Sequence, residues 1–118
     1  MSRISQTIAS GKHSLSLEFY PPKSEKAIAQ LEAASRALRQ LCPDFVSITY
    51  GAGGSTRNST LNYAGTLKDV HQYTVMPHLT CVGHSKEELH KIIEKYQSHG
   101  FQTLMALRGG PQNGAPQF

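Results

Sequence analysis

Residues 45–54 read FVSITYGAGG, a short stretch of alternating residues that runs into a glycine-rich turn. The apolar Val46, Ile48 and Tyr50 fall on one side of an extended chain, and the polar residues between them fall on the other. This alternation predicts a half-buried β-strand, and the glycines predict a turn into the next element. The stretch therefore predicts one strand–turn unit.

The same unit recurs on both sides of this stretch. An earlier strand is predicted at residues 14–20, where Pro21 and Pro22 stop it, and later strands are predicted at residues 74–81 and 103–107. The intervening segments carry apolar residues three to four positions apart, which is the spacing of a helix face. Alternating strands and helices with short links require parallel strands joined by right-handed crossovers, so the predicted fold class is α/β.

The helix boundaries are marked by capping and stop signals. One helix is predicted to begin after Ser24 and to end before Pro43. Another is predicted to begin after Ser85, which forms a capping box with Glu88, and to end before Gly100. The apolar stripes expected to be buried are Ile28, Leu31, Leu38 and Leu41 in the first helix, Leu61, Ala64 and Leu67 in the second, and Leu89, Ile92, Ile93 and Tyr96 in the third.

The predicted strands end on polar side chains at a regular interval. Glu18, Thr49, His78 and Arg108 follow one another at separations of 31, 29 and 30 residues. The C-terminal ends of parallel strands lie at the same edge, where barrels of βα units place their chemistry. A closed barrel takes eight units over about 250 residues, and four are counted here. We therefore predict a single domain over residues 1–118, the N-terminal half and first four units of a truncated TIM-type (βα)8 barrel.

Glu18 is the first candidate for chemistry at this edge. A carboxylate that faces inward on a strand must be paired or must hold its proton, because burial disfavours the charged form. The structural alternative is an ion pair or a rim residue in water. His78 has a similar alternative, since a lone inward histidine is more often a core or rim residue than a ligand.

Two glycine-containing segments have residues that suit the binding of an anion. Arg108 precedes Gly109 and Gly110, and a guanidinium beside unhindered backbone amides forms an anion clamp, although a surface arginine next to a turn is an equal alternative. Residues 51–56 place backbone N–H groups near the start of a predicted helix, which suits phosphate. A plain flexible turn explains the same residues.

Composition excludes several classes of function. The net charge is +4, but the twelve Lys and Arg residues are spread without a block, so we expect a solvated surface and no nucleic-acid partner. The chain lacks a long apolar run or an apolar leader, so we expect a cytoplasmic protein and no membrane partner. Cys42 and Cys81 lack metal-ligand spacing, and the six histidines lack it too. We expect reduced, structural cysteines and no metal.

The segments LEFYPP, FVSITYGAGGSTR, MPHLTC and ALRGG, in this order and spacing, resemble the methylenetetrahydrofolate reductase family over about residues 14–110. The resemblance implies an eight-stranded βα barrel that binds FAD without a covalent bond and accepts hydride from NADH or NADPH. It further implies the reduction of methylenetetrahydrofolate to methyltetrahydrofolate, in two half-reactions at one flavin, within one-carbon metabolism and methionine synthesis.

The resemblance also implies roles for individual residues. Glu18 corresponds to a general acid that helps to open the five-membered ring of the folate to an iminium able to accept hydride. The positions that correspond to contacts with flavin and nicotinamide are Thr49, Tyr50, Ala52, His78, Arg108 and Gly109. The protein positions these cofactors, and the flavin performs the redox step.

One position departs from the family pattern, because Gly110 stands where the family has an aspartate. That carboxylate helps to handle the folate, so its absence leaves room for other interpretations. The chain is then a non-catalytic fragment or binding module, or a divergent barrel enzyme that binds a phosphorylated ligand. The resemblance also implies that these 118 residues alone are inactive, and it leaves a homo-oligomer of the full-length protein open.

Overall fold

The computed structural model describes residues 2–51 and 57–110. Helices and strands alternate along this part of the chain, as predicted. They are α1 (Arg3–Ala9), β1 (Ser16–Phe19), α2 (Glu25–Leu38), β2 (Phe45–Ile48), α3 (Arg57–Asp69), β3 (Val75–Thr80), α4 (Lys86–Ser98) and β4 (Met105–Leu107), with a 3-10 turn at Arg39–Leu41. In the described ranges, no helix has both the length and the apolar character needed to cross a membrane.

The four strands form one parallel sheet in the order β1-β2-β3-β4. Each strand pairs with the next one along the chain, so each intervening helix is a crossover between neighbouring parallel strands. The register places Glu18 opposite Ser47 and His78 opposite Met105. The α/β prediction and the βα repeat are confirmed, and the sheet is consistent with part of a TIM-type βα barrel.

The hydrophobic core lies between the sheet and the helices. Alternate strand residues point to this side, while the polar residues between them point to the other. The core consists of Phe19, Leu31, Val46, Ile48, Leu61, Ala64, Leu67, Tyr73, Val75, Tyr96 and Phe101. Two members of the predicted stripe of α2 are outside it, because Ile28 is 39% exposed and Leu41 is 54% exposed. Leu41 lies in the 3-10 turn, whose tighter winding rotates it away from the helical stripe.

The capping signals place the helix ends correctly. The Ser24 hydroxyl accepts from the Ala27 N–H at the start of α2. At the start of α4, the Ser85 hydroxyl accepts from the Glu88 N–H at 3.1 Å, and a Glu88 carboxylate oxygen accepts from the Ser85 N–H at 3.2 Å. The predicted capping box is confirmed. Gly100 follows α4 with a φ of 85°, a conformation that suits glycine.

Helix α1 was not predicted, and the strands are shorter than predicted. The Ser2 hydroxyl caps α1 by accepting from the Ser5 N–H, and Ile4 is its one buried residue. A single apolar anchor is too little periodicity to be recognised in a polar segment. The fourth strand begins at Met105, and Thr103 before it donates its side-chain hydroxyl to the Ser2 hydroxyl at 2.8 Å.

The two cysteines are free thiols, and both are exposed. Their exposure does not support the expectation that both cysteines are structural. Cys42 ends the 3-10 turn with a φ of 49°, and Cys81 directly follows β3. Both lie where the chain leaves a regular element, so neither is packed in the core.

Candidate active site

Three polar side chains meet near the C-terminal ends of the first three strands. Ser47 lies opposite Glu18 in the parallel register, so the two side chains share a face. The Ser47 hydroxyl donates a long hydrogen bond of 3.4 Å to Glu18 Oε1. His78 Nε2 lies 3.4 Å from the same oxygen. The structure therefore brings together Glu18 and His78, which the sequence placed at one edge.

The three residues differ in exposure. Ser47 and His78 are buried, at 6% and 7% of full exposure, whereas the Glu18 side chain is 49% exposed. The expectation that Glu18 is buried is wrong, because it lies on the sheet face opposite the helix-side core. The carboxylate is open to solvent and reactants from one side, and Ser47 and His78 hold it from the other.

Two buried polar atoms on this face have no aligned hydrogen-bond partner among the described residues. They are His78 Nε2 and Thr80 Oγ1. The 3.4 Å approach of Glu18 to His78 is close enough for electrostatic attraction, but its alignment does not meet that of a hydrogen bond. Since buried polar atoms are normally satisfied, these two are suited to meet a ligand.

Thr49 continues the β2 ladder by one residue. Its N–H donates to the Phe19 carbonyl at 3.0 Å, and its own carbonyl accepts from the Thr60 hydroxyl at 2.9 Å. The next residue, Tyr50, is buried, and its hydroxyl lies 2.7 Å from His84 Nε2. The backbone at this strand end is thus fixed by several bonds, while the predicted cofactor contacts of Thr49 and Tyr50 remain predictions.

The fourth strand end carries Arg108, which is exposed, and Gly109. Gly109 has a φ of 87°, and a Cβ there would come within 3.1 Å of Thr80 and Val82 side-chain atoms. Glycine is thus required by the backbone conformation and by packing, before any ligand is considered. Gly110 is different, because a Cβ at that position meets nothing within 4 Å. Packing does not explain why the aspartate of the family pattern is missing.

Ala52 and the glycine-rich turn that follows β2 lie outside the described residues, as does the phosphate-binding interpretation of that turn. Among residues 2–51 and 57–110, no group of three or more His, Cys, Asp and Glu side chains is placed to hold a metal ion. A cavity of about 200 Å³ lies at the opposite end of the strands, where its lining includes Thr74 and Thr103. That cavity is separate from the Glu18 edge.

Sequence reasoning missed two residues of this edge. Thr80 follows His78 by two positions and therefore lies on the same face, so the alternation in VMPHLT was a usable signal. His84 directly precedes the capping box of α4, and its partner Tyr50 is 34 residues away. The spacing of residues along the sequence does not predict a contact between two different loops.

Parallel strands joined by helices, with a carboxylic acid and an imidazole brought together near their C-terminal ends, are the arrangement expected of part of a βα barrel. A sequence model of the methylenetetrahydrofolate reductase family matches residues 3–118. The chain belongs to the methylenetetrahydrofolate reductase family.

Its similarity to individual relatives extends over the whole chain. It is 36% identical to methylenetetrahydrofolate reductase (NADH) 1 of Arabidopsis thaliana over 118 residues, which is 100% of this chain and 20% of that protein. It is 34% identical to 5,10-methylenetetrahydrofolate reductase of Escherichia coli over 110 residues, which is 92% of this chain and 37% of that protein. The chain thus spans about a fifth to a third of the length of these relatives.

Proposed function

We propose that the complete gene product reduces methylenetetrahydrofolate to methyltetrahydrofolate with a bound flavin and with NADH or NADPH as hydride donor. The observation that carries the proposal is the Glu18–His78 pair, 3.4 Å apart at the C-terminal edge of the sheet of a family member. The names of the relatives, both methylenetetrahydrofolate reductases, support the folate as substrate. We expect the 118 residues alone to be inactive, because four strands form only part of the mouth of a barrel.

The described residues fit a flavin on physical grounds. His78 Nε2 and Thr80 Oγ1 are buried and lack aligned partners among the described residues, so polar ring atoms of a ligand would satisfy them. Arg108 supplies an exposed cation at the next strand end, which suits a pyrophosphate. When bound, the flavin supplies the hydride transfer, and these residues orient it and exclude water from it.

Glu18 carries the acid step in this proposal. Its carboxyl group is half exposed, so a folate nitrogen at the mouth has access to it. Ser47 and His78 contact Oε1 from the buried side and limit the rotation of the carboxyl group. Protonated Glu18 donates its proton to the folate ring nitrogen as the ring opens, and a positioned acid of this kind accelerates a reaction by about a hundredfold to ten-thousandfold.

The proposal is tested on the complete gene product in two half-reactions. The purified protein should be yellow or should become so with added FAD. NADH or NADPH should bleach the flavin under anaerobic conditions, and methylenetetrahydrofolate should then restore its colour. A colourless protein that fails to take up FAD contradicts the proposal. Protection from heat by a phosphorylated sugar, and not by FAD, would favour the phosphorylated-ligand alternative.

The choice of hydride donor is part of the same experiment. We propose NADH as the donor, because the Arabidopsis thaliana and Zea mays relatives carry NADH in their names. The rate of flavin bleaching should then be higher with NADH than with NADPH at equal concentration. We also propose a cytoplasmic location, where free folates and pyridine nucleotides are available.

A further inference from the structure

A buried pair of side chains ties the loop after β2 to the loop after β3. The Tyr50 hydroxyl oxygen lies 2.7 Å from His84 Nε2, and the two rings meet edge to face with centroids 5.8 Å apart. The His84 side chain is 1% exposed and Tyr50 is 8% exposed, so water competes little for this bond. A hydrogen bond in such surroundings is costly to break.

His84 lies beside the start of α4. Its Nδ1 is 3.5 Å from Glu88 Oε2, which is close enough for electrostatic attraction but not aligned as a hydrogen bond, and the same oxygen accepts from the Ser85 N–H in the capping box. The box fixes this carboxylate, so the Nδ1 side of the ring faces an acceptor. An imidazole with its hydrogen on Nδ1 presents a lone pair at Nε2, and Tyr50 then donates its hydroxyl proton to His84.

The position of Tyr50 determines that of its neighbour Thr49. Successive residues of an extended chain point to opposite faces, and Tyr50 belongs to the apolar set that faces the helices. Holding Tyr50 on that side therefore holds Thr49 on the side of Glu18. The Thr49 backbone is bonded at its N–H and at its carbonyl, and the Tyr50–His84 bond restrains the side chain of the next residue.

We infer that His84 is a positioning residue for the cofactor side of the site, because it holds Tyr50 and thereby sets the direction of Thr49. The inference rests on the proposed function, in which Thr49 and Tyr50 contact the nicotinamide and the flavin. His84 touches neither cofactor in this role and acts only through Tyr50. The observation that supports this role is the hydrogen bond between Tyr50 and His84, which are 34 residues apart in the sequence.

A double-mutant cycle on the complete gene product tests the inference. The variants are His84→Ala, Tyr50→Phe and their combination, and the measured quantity is kcat/KM for NADH in the flavin-reduction half-reaction. Each single variant should lower it by about five- to tenfold, the size of one buried hydrogen bond. The combination should be no worse than the more damaged single variant, because both changes remove the same bond.

Two further variants separate positioning from general damage. His84→Gln places a side-chain oxygen at similar reach and should retain about half or more of the wild-type value, because the amide oxygen still accepts from Tyr50. His90→Ala is the matched control, because His90 is an exposed histidine of α4, the helix that follows His84, and should leave kcat/KM unchanged. Unfolding midpoints of all variants show whether each one folds.

The outcomes separate the inference from the proposed function. A His84→Ala value within about twofold of wild type, or losses that multiply in the double variant, overturns the inference alone. If His84→Ala does not fold, the other two variants decide. The inference is overturned if Tyr50→Phe leaves kcat/KM unchanged, or if His84→Gln lowers kcat/KM as much as Tyr50→Phe does. A wild-type protein that neither binds FAD nor oxidises NADH removes the proposed function, and the inference fails with it.

Discussion

Polar groups at the N-terminal ends of the strands are paired with other groups of the protein, whereas several at the C-terminal ends are not. At the N-terminal ends, Leu15 and Asp44 exchange two hydrogen bonds of 2.8 Å, one to the carboxylate of Asp44 and one from its N–H. The Tyr73 hydroxyl donates to the Ser35 carbonyl at 2.6 Å. The Leu15–Asp44 bonds join the starts of β1 and β2, and the Tyr73 bond joins α2 to the segment before β3. None of these bonds needs a ligand.

At the C-terminal ends, His78 Nε2, Thr80 Oγ1 and His84 Nδ1 are buried without an aligned partner in the part of the chain that the structure describes. The contrast is not complete, because Ser35 Oγ and Tyr96 Oη also lack one. Nothing in the structure explains the Ser35 hydroxyl. The difference nevertheless teaches that the polar groups named at the N-terminal edge are satisfied within the protein, while those at the C-terminal edge are suited to a bound ligand, as expected of βα barrels.

The largest expected effect is at Glu18. Glu18→Gln should lower folate reduction by about a hundredfold to ten-thousandfold, because the amide has no acidic proton to give. Flavin reduction by NADH should stay within about twofold of wild type, since that half-reaction needs no acid at the folate. The two rates are measured separately by rapid mixing of the complete gene product.

Glu94→Gln is the matched control, because Glu94 is an exposed glutamate of α4 away from the strand ends. It should leave both half-reactions unchanged. Equal loss of both half-reactions in Glu18→Gln would count against the acid role and would leave only a general structural role for this carboxylate.

A second effect concerns the backbone of the C-terminal edge. Gly109→Ala should lower the free energy of unfolding by about 2 kcal/mol, because alanine is strained at a φ of 87° and its Cβ would press on Thr80 and Val82. Gly65→Ala in α3 should instead raise it by about 0.5–1 kcal/mol, because its Cβ meets nothing within 4 Å and alanine is the better helix former.

Chemical denaturation of both variants measures these free energies. Equal effects at the two glycines would show that the loop after β4 is not held against the loop after β3. Such a result would weaken the view that Gly109 is fixed by packing at this edge.

A third pair of variants tests the contrast between the two edges directly. Tyr73→Phe and Thr80→Val each delete one buried hydroxyl, but only the Tyr73 hydroxyl has a partner among the described residues. Tyr73→Phe should lower the free energy of unfolding by about 1 kcal/mol, and Thr80→Val should leave it unchanged or raise it slightly. The two variants should have the opposite ranking for FAD affinity. Thr80→Val should weaken FAD binding, and Tyr73→Phe should leave it unchanged. Equal stability losses would contradict the contrast.

The sequence was sufficient to predict the order of the parallel strands and the edge at which Glu18 and His78 meet. The spacing of apolar residues changes from two positions in each predicted strand to three or four in each predicted helix. The spacing between Glu18 and His78 assigned them to the ends of parallel strands. Parallel strands in sequence order then bring such residues to one edge, so their meeting at 3.4 Å followed from local patterns and topology.

The sequence was not sufficient where the outcome depends on long-range contacts. The exposure of Glu18 depends on what covers the sheet face, and that is a property of the assembled layers. The role of His84 depends on Tyr50, a residue of another loop. Helix α1 has one buried side chain, Ile4, and its position is fixed by packing against the strands' N-terminal ends more than by its own periodicity.

The smallest expected effect is the response of the N-terminal edge to alkaline pH. Burial raises the pKa of Tyr73, an effect that the nearby Arg39 opposes. A folded pKa above the unfolded value of about 10 means that the neutral phenol contributes stability at all lower pH values. That contribution is lost as the pH rises through the folded pKa. The free energy of unfolding should therefore be insensitive to this group below about pH 9 and should decline above about pH 10.

Tyr73→Phe should make the alkaline decline shallower, because phenylalanine has no proton to lose. The second buried phenol contributes in the same direction, since burial raises the pKa of Tyr96 and Tyr50 adds to the rise. Urea unfolding at several pH values between 7 and 11 compares the wild type with this variant. Identical slopes would show that Tyr73 ionises as freely in the folded chain as in the unfolded one. Its bond to Ser35 would then not distinguish the N-terminal edge of the sheet from the C-terminal edge.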